Sequence, residues 1–384
     1  MLRKVVLCVL LLGLSFTYSF AQKKSKEDAV FTFPFHMDSR LLVFEGEMNG
    51  KPAKFAFDTG ATLGLAGDTF VENGRIKVKN RNMTIRDSNN ETKRVRTGTT
   101  KQMKFGDMKV SNPKALITNM PFLNCQDYYL LGSNVIKLVN WKIDFDKMEI
   151  SVSMKPFPVE PEFAKVKVFY ENNRPFTVLK FGGMKLSKVL IDTGYTRILD
   201  IDNSSDLMKE FIAKKEEQDR TNKNISLSVG AISESLDETT QIIVDSLDVA
   251  GMKIMDVPTD FFPTKSTKLG IGFFKYVSHT TIINNSESTY YLDLREEPDF
   301  KDPFLLNLQY DEGKILVSGK SLEDHPLYSQ IELGDQVISI NGNPTSSFTS
   351  ECEFVTWYYS YDQDEMTIQT KDGEPITFTS TTLK

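Results

Sequence analysis

Asp58-Thr59-Gly60 and Asp192-Thr193-Gly194 are the residues whose types and spacing point to chemistry. Phe55-Ala56-Phe57 runs into the first tripeptide and Val189-Leu190-Ile191 into the second. One residue after each comes a further threonine, giving DTGAT and then DTGYT. A carboxylate at the mouth of an apolar strand, on a glycine turn, is held where water and a substrate can reach it. Two of them in matching settings suggest a pair that shares one proton, because like charges at about 3 Å cannot both ionise. A lone Asp-Thr-Gly is an ordinary strand end; the repetition is what carries the signal.

Other chemistries find little support. The three histidines, His36, His279 and His325, show no metal-ligand spacing to each other or to a cysteine, so no metal and no cofactor is expected. No Gly-x-Ser-x-Gly and no phosphate-cradling glycine loop occurs, and His279, among Tyr276, Val277, Thr280 and Thr281, reads as a strand residue rather than a base. The formal charge is −6 at pH 7 and no basic cluster stands out, which disfavours nucleic acid and anionic membrane as partners.

The start of the chain reads as an export signal over residues 1–21. Arg3 and Lys4 form a charged region, residues 5–14 an apolar one, and Ser19-Phe20-Ala21 a small-x-small cleavage site. The apolar run is too short for a membrane span, so the mature chain is expected to be exported, periplasmic or secreted, with no integral membrane segment. Cys125 and Cys352 then remain, far apart in sequence. They show no disulfide framework, although an oxidising compartment permits a bond between them.

A longer duplication surrounds the tripeptides. Gly106-Asp107-Met108-Lys109-Val110 is echoed by Ala250-Gly251-Met252-Lys253-Ile254, and Leu131-Gly132 by Leu269-Gly270. Features in the same order at a spacing of about 140 residues indicate two copies of one unit. Each copy reads as all-β, with short runs at 41–44, 53–57, 104–110 and 141–150 divided by Gly, Asn and Asp turns. The second copy adds a helix after an Asn203-Ser204 cap, with Leu207 and Phe211 on one face. Lys155-Pro156-Phe157-Pro158-Val159-Glu160-Pro161 is a stiff connector between the copies.

The chain resembles the aspartic proteases, in the retroviral-type (retropepsin-like) branch, over residues 31–289. Besides the two tripeptides, the resemblance rests on Leu130-Leu131-Gly132-Ser133-Asn134, an apolar-glycine element about 75 residues after the first aspartate. It implies Asp58 and Asp192 as catalytic residues hydrolysing peptide bonds with an activated water and no covalent intermediate. It also implies that Thr59 and Thr193 brace the two loops across the lobe interface, while Gly60 and Gly194 let the carboxylates approach. The stretch 87–92, between 83–86 and 93–96, suits a hairpin closing over substrate, and residues 228–238 occupy the corresponding place in the second copy. The chain departs from the family at Lys268, where an apolar residue is expected, and at Tyr195, where a small one is usual. Gly272 offers a second register for Gly270.

After residue 291 the pattern changes. Leu333-Gly334-Asp335-Gln336-Val337-Ile338-Ser339-Ile340-Asn341-Gly342 resembles the signature of a PDZ domain, followed by a helix capped by Ser350 and a hairpin over 366–379. This implies strand addition of a C-terminal or internal peptide, with Pro303, Phe304, Leu305 and Leu306 as the candidate binding loop, lacking the usual glycine. The expected architecture is therefore all-β: a leader at 1–21, pseudo-twofold-related lobes at 31–154 and 162–290, and a PDZ domain at 296–384. The expected function is an exported endopeptidase acting on peptide or protein substrates. The rival is a peptide-binding scaffold that keeps the fold without turnover.

Overall fold

The computed structural model describes residues 29–37, 40–218, 220–263, 266–302, 306–322, 326–361, 363–379 and 381–382. The leader and Pro303 to Leu305 lie outside the described residues. The chain is mostly β, with short helices. Among the described residues no helix is long and apolar enough to cross a membrane.

A six-stranded sheet joins the two halves. The first half supplies Val30–His36, Glu149–Ser153 and Asn140–Asp144; the second supplies Ser278–Asn284, Thr289–Leu294 and Ala164–Lys167. At its centre Asn140–Asp144 pairs antiparallel with Ser278–Asn284, setting Lys142 opposite Ile282 and Ile143 opposite Thr281. Two equivalent strands side by side and antiparallel are what a twofold axis through the sheet requires. The run 141–150 is thus two strands around a turn, as is 104–110, which divides at Gly106 into Gln102–Phe105 and Met108–Ser111.

Above this base each half repeats one motif. Lys51–Phe57 lies parallel to Tyr128–Leu131, which is antiparallel to Gly64–Ala66, which is parallel to Lys114–Ile117. In the second half Met184–Asp192, Lys268–Gly270, Leu199–Asp202 and Met252–Phe262 follow the same order and directions. Alternation along these strands sends Phe55, Phe57, Leu131, Ala66 and Ile117 into the main core, where Phe57, Phe44 and Phe105 ring Trp141 at 5.1 to 5.9 Å. Trp141 is fully buried, and its indole N–H donates to the Ile136 carbonyl at 2.9 Å. The connector has no strand; its Phe157 is gripped through both backbone groups by the Asn284 amide at 2.9 and 3.0 Å.

The helix of the second half is Asp206–Glu216, capped by Ser205 rather than by the Asn203-Ser204 pair. Its inward face is Met208, Phe211 and Ile212, whereas Leu207, expected to share the face of Phe211, is exposed: Phe211 packs inward with its i−3 neighbour Met208 instead.

The C-terminal domain is built on the hairpin Leu306–Asp311 and Lys314–Ser321, then Gln336–Ile340, the helix Glu351–Ser360 and the hairpin Glu365–Thr370 with Ile376–Thr379. Ser350 caps the helix, and Asn341 and Gly342, both at positive φ, make the expected turn. This domain does not hang from a linker. Its strand Lys314–Ser321 pairs with Asn222–Val229 of the second half, Asn224 opposite Ser321. Its helix is bonded to the first half by a disulfide between Cys125 and Cys352, Cα atoms 4.8 Å apart, and by Phe122 packed edge-on to Tyr359 at 4.8 Å.

Candidate active site

Asp58 follows directly on the strand Lys51–Phe57, and Asp192 is the last residue of Met184–Asp192. Each strand is anchored by the apolar-glycine element behind it. Asp58 N–H donates to the Leu131 carbonyl at 3.1 Å, and Asp192 stands beside Gly270 in the parallel ladder. Gly270 N–H donates to the Ile198 carbonyl at 2.9 Å. Gly270, not Gly272, therefore holds the position expected of the family glycine. A Cβ there would lie 2.1 Å from the Arg197 carbonyl oxygen, so no side chain fits.

The two loops are locked to each other by their threonines, both almost fully buried. Thr59 N–H donates to Thr193 Oγ1, and Thr193 N–H to Thr59 Oγ1, each at 3.0 Å. The hydroxyls reach on: Thr59 Oγ1 to the Ile191 carbonyl at 2.7 Å and Thr193 Oγ1 to the Phe57 carbonyl at 2.9 Å. This reciprocal brace is the one the resemblance implies for Thr59 and Thr193.

It brings the carboxylates together. Asp58 Oδ1 accepts from Gly60 N–H at 2.7 Å and Ala61 N–H at 3.0 Å, and Asp192 Oδ1 from Gly194 N–H at 3.1 Å. Each glycine lies against the opposite carboxylate: a Cβ at Gly60 would stand 2.2 Å from Asp192 Oδ1, and one at Gly194 2.4 Å from Asp58 Cγ. Burial pushes the Asp58 carboxyl above its ordinary range, and the neighbouring Asp192 charge pushes it further. The N–H groups of Ala61 and Gly60 pull the other way without prevailing.

Ser133 and Asn134 support the first loop in a way the sequence reading did not single out. Ser133 Oγ donates to the Thr59 carbonyl at 2.6 Å, Asn134 Oδ1 accepts from Gly64 N–H at 3.1 Å, and Asn134 Nδ2 reaches the Lys114 carbonyl at 3.0 Å. The second half keeps only the backbone part, Ile271 N–H to the Tyr195 carbonyl at 2.8 Å, matching Ser133 N–H to Ala61 at 2.8 Å. The motif Leu-Gly-Ser-Asn in one copy and Leu-Gly-Ile-Gly in the other is the signal for this difference.

Two long hairpins rise from the halves. The first, Lys77–Arg86 with Thr92–Thr99, contains the stretch 87–92 at its tip; the second, Asn222–Val229 with Glu234–Val249, contains the whole of 228–238 at and beside its tip. Their tips are clasped. Asp87 Oδ2 accepts from Ser233 Oγ at 2.6 Å and Ile232 N–H at 3.3 Å, while Asn89 Nδ2 donates to the Ser228 and Ser233 carbonyls at 3.0 and 3.2 Å. Asp87 Oδ1 meanwhile bonds Asn89 and Glu91 N–H within its own turn.

Of the C-terminal binding loop, Pro303, Phe304 and Leu305 lie outside the described residues, and Leu306 is buried in the domain core. His279 is a strand residue, its Nδ1 2.6 Å from Asp146. Among the described residues no group of three or more His, Cys, Asp or Glu could hold a metal.

No curated protein matches the chain. Residues 44–135, which span the first aspartate, its strand motif and the first hairpin, match the family model described as aspartyl protease, and that match supports peptidase activity in general.

Proposed function

We propose that the chain is an aspartic endopeptidase in which Asp58 and Asp192 act as one proton-sharing pair. The observation that carries this reading is the contact of the two carboxylates across reciprocally bonded threonine loops. With Asp58 protonated, Asp192 is the base. A water held between them gives a proton to Asp192 as its oxygen attacks the scissile carbonyl carbon, and Asp58 gives its proton to the carbonyl oxygen. The resulting diol returns a hydroxyl proton to Asp58 while Asp192 protonates the leaving nitrogen. The C–N bond then breaks to give acid and amine, with the pair restored. A scaffold that only bound peptides would have no use for two carboxylates pressed together, an arrangement that costs energy in the empty protein.

The test is hydrolysis of an unfolded protein and of short peptides across pH by the full chain and by Asp58→Asn, Asp192→Asn and the double variant. Activity is expected to be bell-shaped in pH and sensitive to a transition-state-like inhibitor of aspartic proteases. Each single variant should lose at least about a thousandfold, and the double variant little more, because residues acting as a unit are not additive. Substantial turnover by either single variant would rule the reading out.

Export belongs to the same proposal, with the mature chain beginning near Gln22. N-terminal sequencing of protein recovered outside the cytoplasm checks it, and an intact Met1 there would refute it. The C-terminal domain is read as a PDZ domain that engages an extended segment of substrate or partner along the strand Leu306–Asp311 and tunes proteolysis.

A further inference from the structure

The two walls of the cleft are built on the same strands but from opposite chemistry. In the first half Leu65 stands opposite Leu130 on one side and Leu116 on the other. In the second half, Asp200 stands in the same ladder opposite Lys268 and Asp260. The three leucines lie on the face turned away from the main core. They cluster with Ala61 and Leu63 of the catalytic loop, Ile85 of the first hairpin and Ile232 at the tip of the second. That is the face the hairpins close over, and the twofold relation places Asp200, Asp260 and Lys268 on the facing wall.

The charges on that wall are ordered in depth. Arg197 lies 3.0 Å from Asp260, and Lys268 3.5 Å from Asp200 with its Nζ 4.3 Å above the Tyr195 ring. The carboxylates are sealed, their side chains 5% and 1% exposed, whereas Arg197 is 29% and Lys268 13% exposed. An approaching group therefore meets the cations first. Gln241 Oε1 and Thr239 Oγ1, on the strand beside Asp260, are buried with no hydrogen-bond partner among the described residues. Ion pairs buried this deeply add little stability over apolar packing of the same volume. The first half shows that leucines serve the fold at the same three places.

Building on the peptidase reading, we propose that the cleft is two-faced: the wall beside Asp58 takes an apolar side chain of the substrate, and the wall beside Asp192 takes an acidic one. Lysine carries three donors and arginine five, so each cation can serve a substrate carboxylate as well as its buried partner. Charge-assisted bonds of this kind are among the stronger ones a site can make.

The experiment measures binding, which does not depend on turnover. Peptides alike except for Glu, Gln, Leu or Lys at one position next to an apolar residue are titrated against the full-length Asp58→Asn chain by fluorescence anisotropy. Binding is counted where a peptide-like active-site inhibitor displaces it. The Glu peptide is expected to bind at least about tenfold more tightly than the Leu or Lys peptide. Adding Asp200→Leu with Lys268→Leu, which makes two of the three places match the other wall, is expected to remove most of the preference for the Glu peptide over the Leu peptide. Adding Arg197→Gln instead, whose amide can still donate to Asp260, weakens the Glu peptide while leaving the Leu peptide unchanged, and a thermal melt checks that this variant is folded. Equal or tighter binding of the Leu peptide by the Asp58→Asn chain overturns the inference, as does an absence of displaceable binding by any peptide. Failure of the wild-type chain to hydrolyse a peptide that its Asp58→Asn form binds in this order would retire the peptidase reading alone.

Discussion

Asp58 holds its proton in the folded chain more tightly than an exposed aspartate does, first because it is buried and then because Asp192 repels its charge. The unfolded chain has no such preference. Its aspartate ionises from about pH 4 upward, so the folded state is favoured by this group below that range and loses the advantage as pH rises through the raised folded value. Asparagine at the same place imitates the protonated acid at every pH. The melting temperatures of wild type and Asp58→Asn should accordingly lie closest near pH 4, with wild type falling progressively behind as the pH rises to mildly alkaline. Thermal melts of both across that range test this; parallel curves would mean that the folded chain does not hold the Asp58 proton more tightly. Both aspartates, both threonines and both glycines were legible in the sequence because the same five-residue context occurs twice. Ser133 and Asn134 were quoted only as part of a motif. Their work is done through bonds to Thr59, Gly64 and Lys114, and no local spacing encodes such partners.

The strands and hairpins convert that repetition into geometry. The parallel pair formed by Lys51–Phe57 with Tyr128–Leu131, and its copy in the second half, bring each aspartate to the same level above the joining sheet. The hairpins then close over the face opposite the core. Their tips make several mutual bonds through Asp87, Asn89, Ser228 and Ser233; in the peptidase proposed above, substrate access requires those bonds to open. Asn89→Ala removes three of them at a part-buried turn outside the core, so the melting temperature should change little while exchange at the site quickens. Stopped-flow binding of a peptide-like inhibitor should show both association and dissociation faster by about tenfold per 1.4 kcal/mol of clasp lost. Unchanged rates would show that the tips are not a latch. The first hairpin could be read from 83–86, a turn and 93–96, and the Ser350 cap from its helix. The clasp could not be read, since it joins tips 139 and more residues apart. The split of 104–110 and 141–150 into pairs of strands was missed because tight turns there interrupt the apolar pattern too briefly to break it.

At the scale of the molecule, three units share two seams. One is the six-stranded sheet between the halves; the other binds the C-terminal domain to both halves, through the pairing of Asn224 with Ser321 and the Cys125–Cys352 bond. The cysteine count allowed that bond, but only the packing of the two helices selects it. A cross-link closing 227 residues limits the unfolded chain, an effect of about 5 kcal/mol in the chain-entropy account. Reduction, or Cys352→Ser, should thus lower the melting temperature by several degrees. Because the strand Asn222–Val229 belongs to the second hairpin, it should also alter hydrolysis of a protein substrate more than that of a short peptide. Calorimetry with paired assays measures both, and indifference of both to reduction would count against a tuning role for the domain. The same bond has a topological result. It turns the stretch from Cys125 to Cys352 into a covalent ring that contains Asp192, with Asp58 on the tail leading into it. One cut anywhere in the ring, whether by another protease or by a neighbouring copy, leaves two pieces that still travel as a single molecule with both aspartates aboard. Until a reductant arrives, such a nicked chain keeps its full mass.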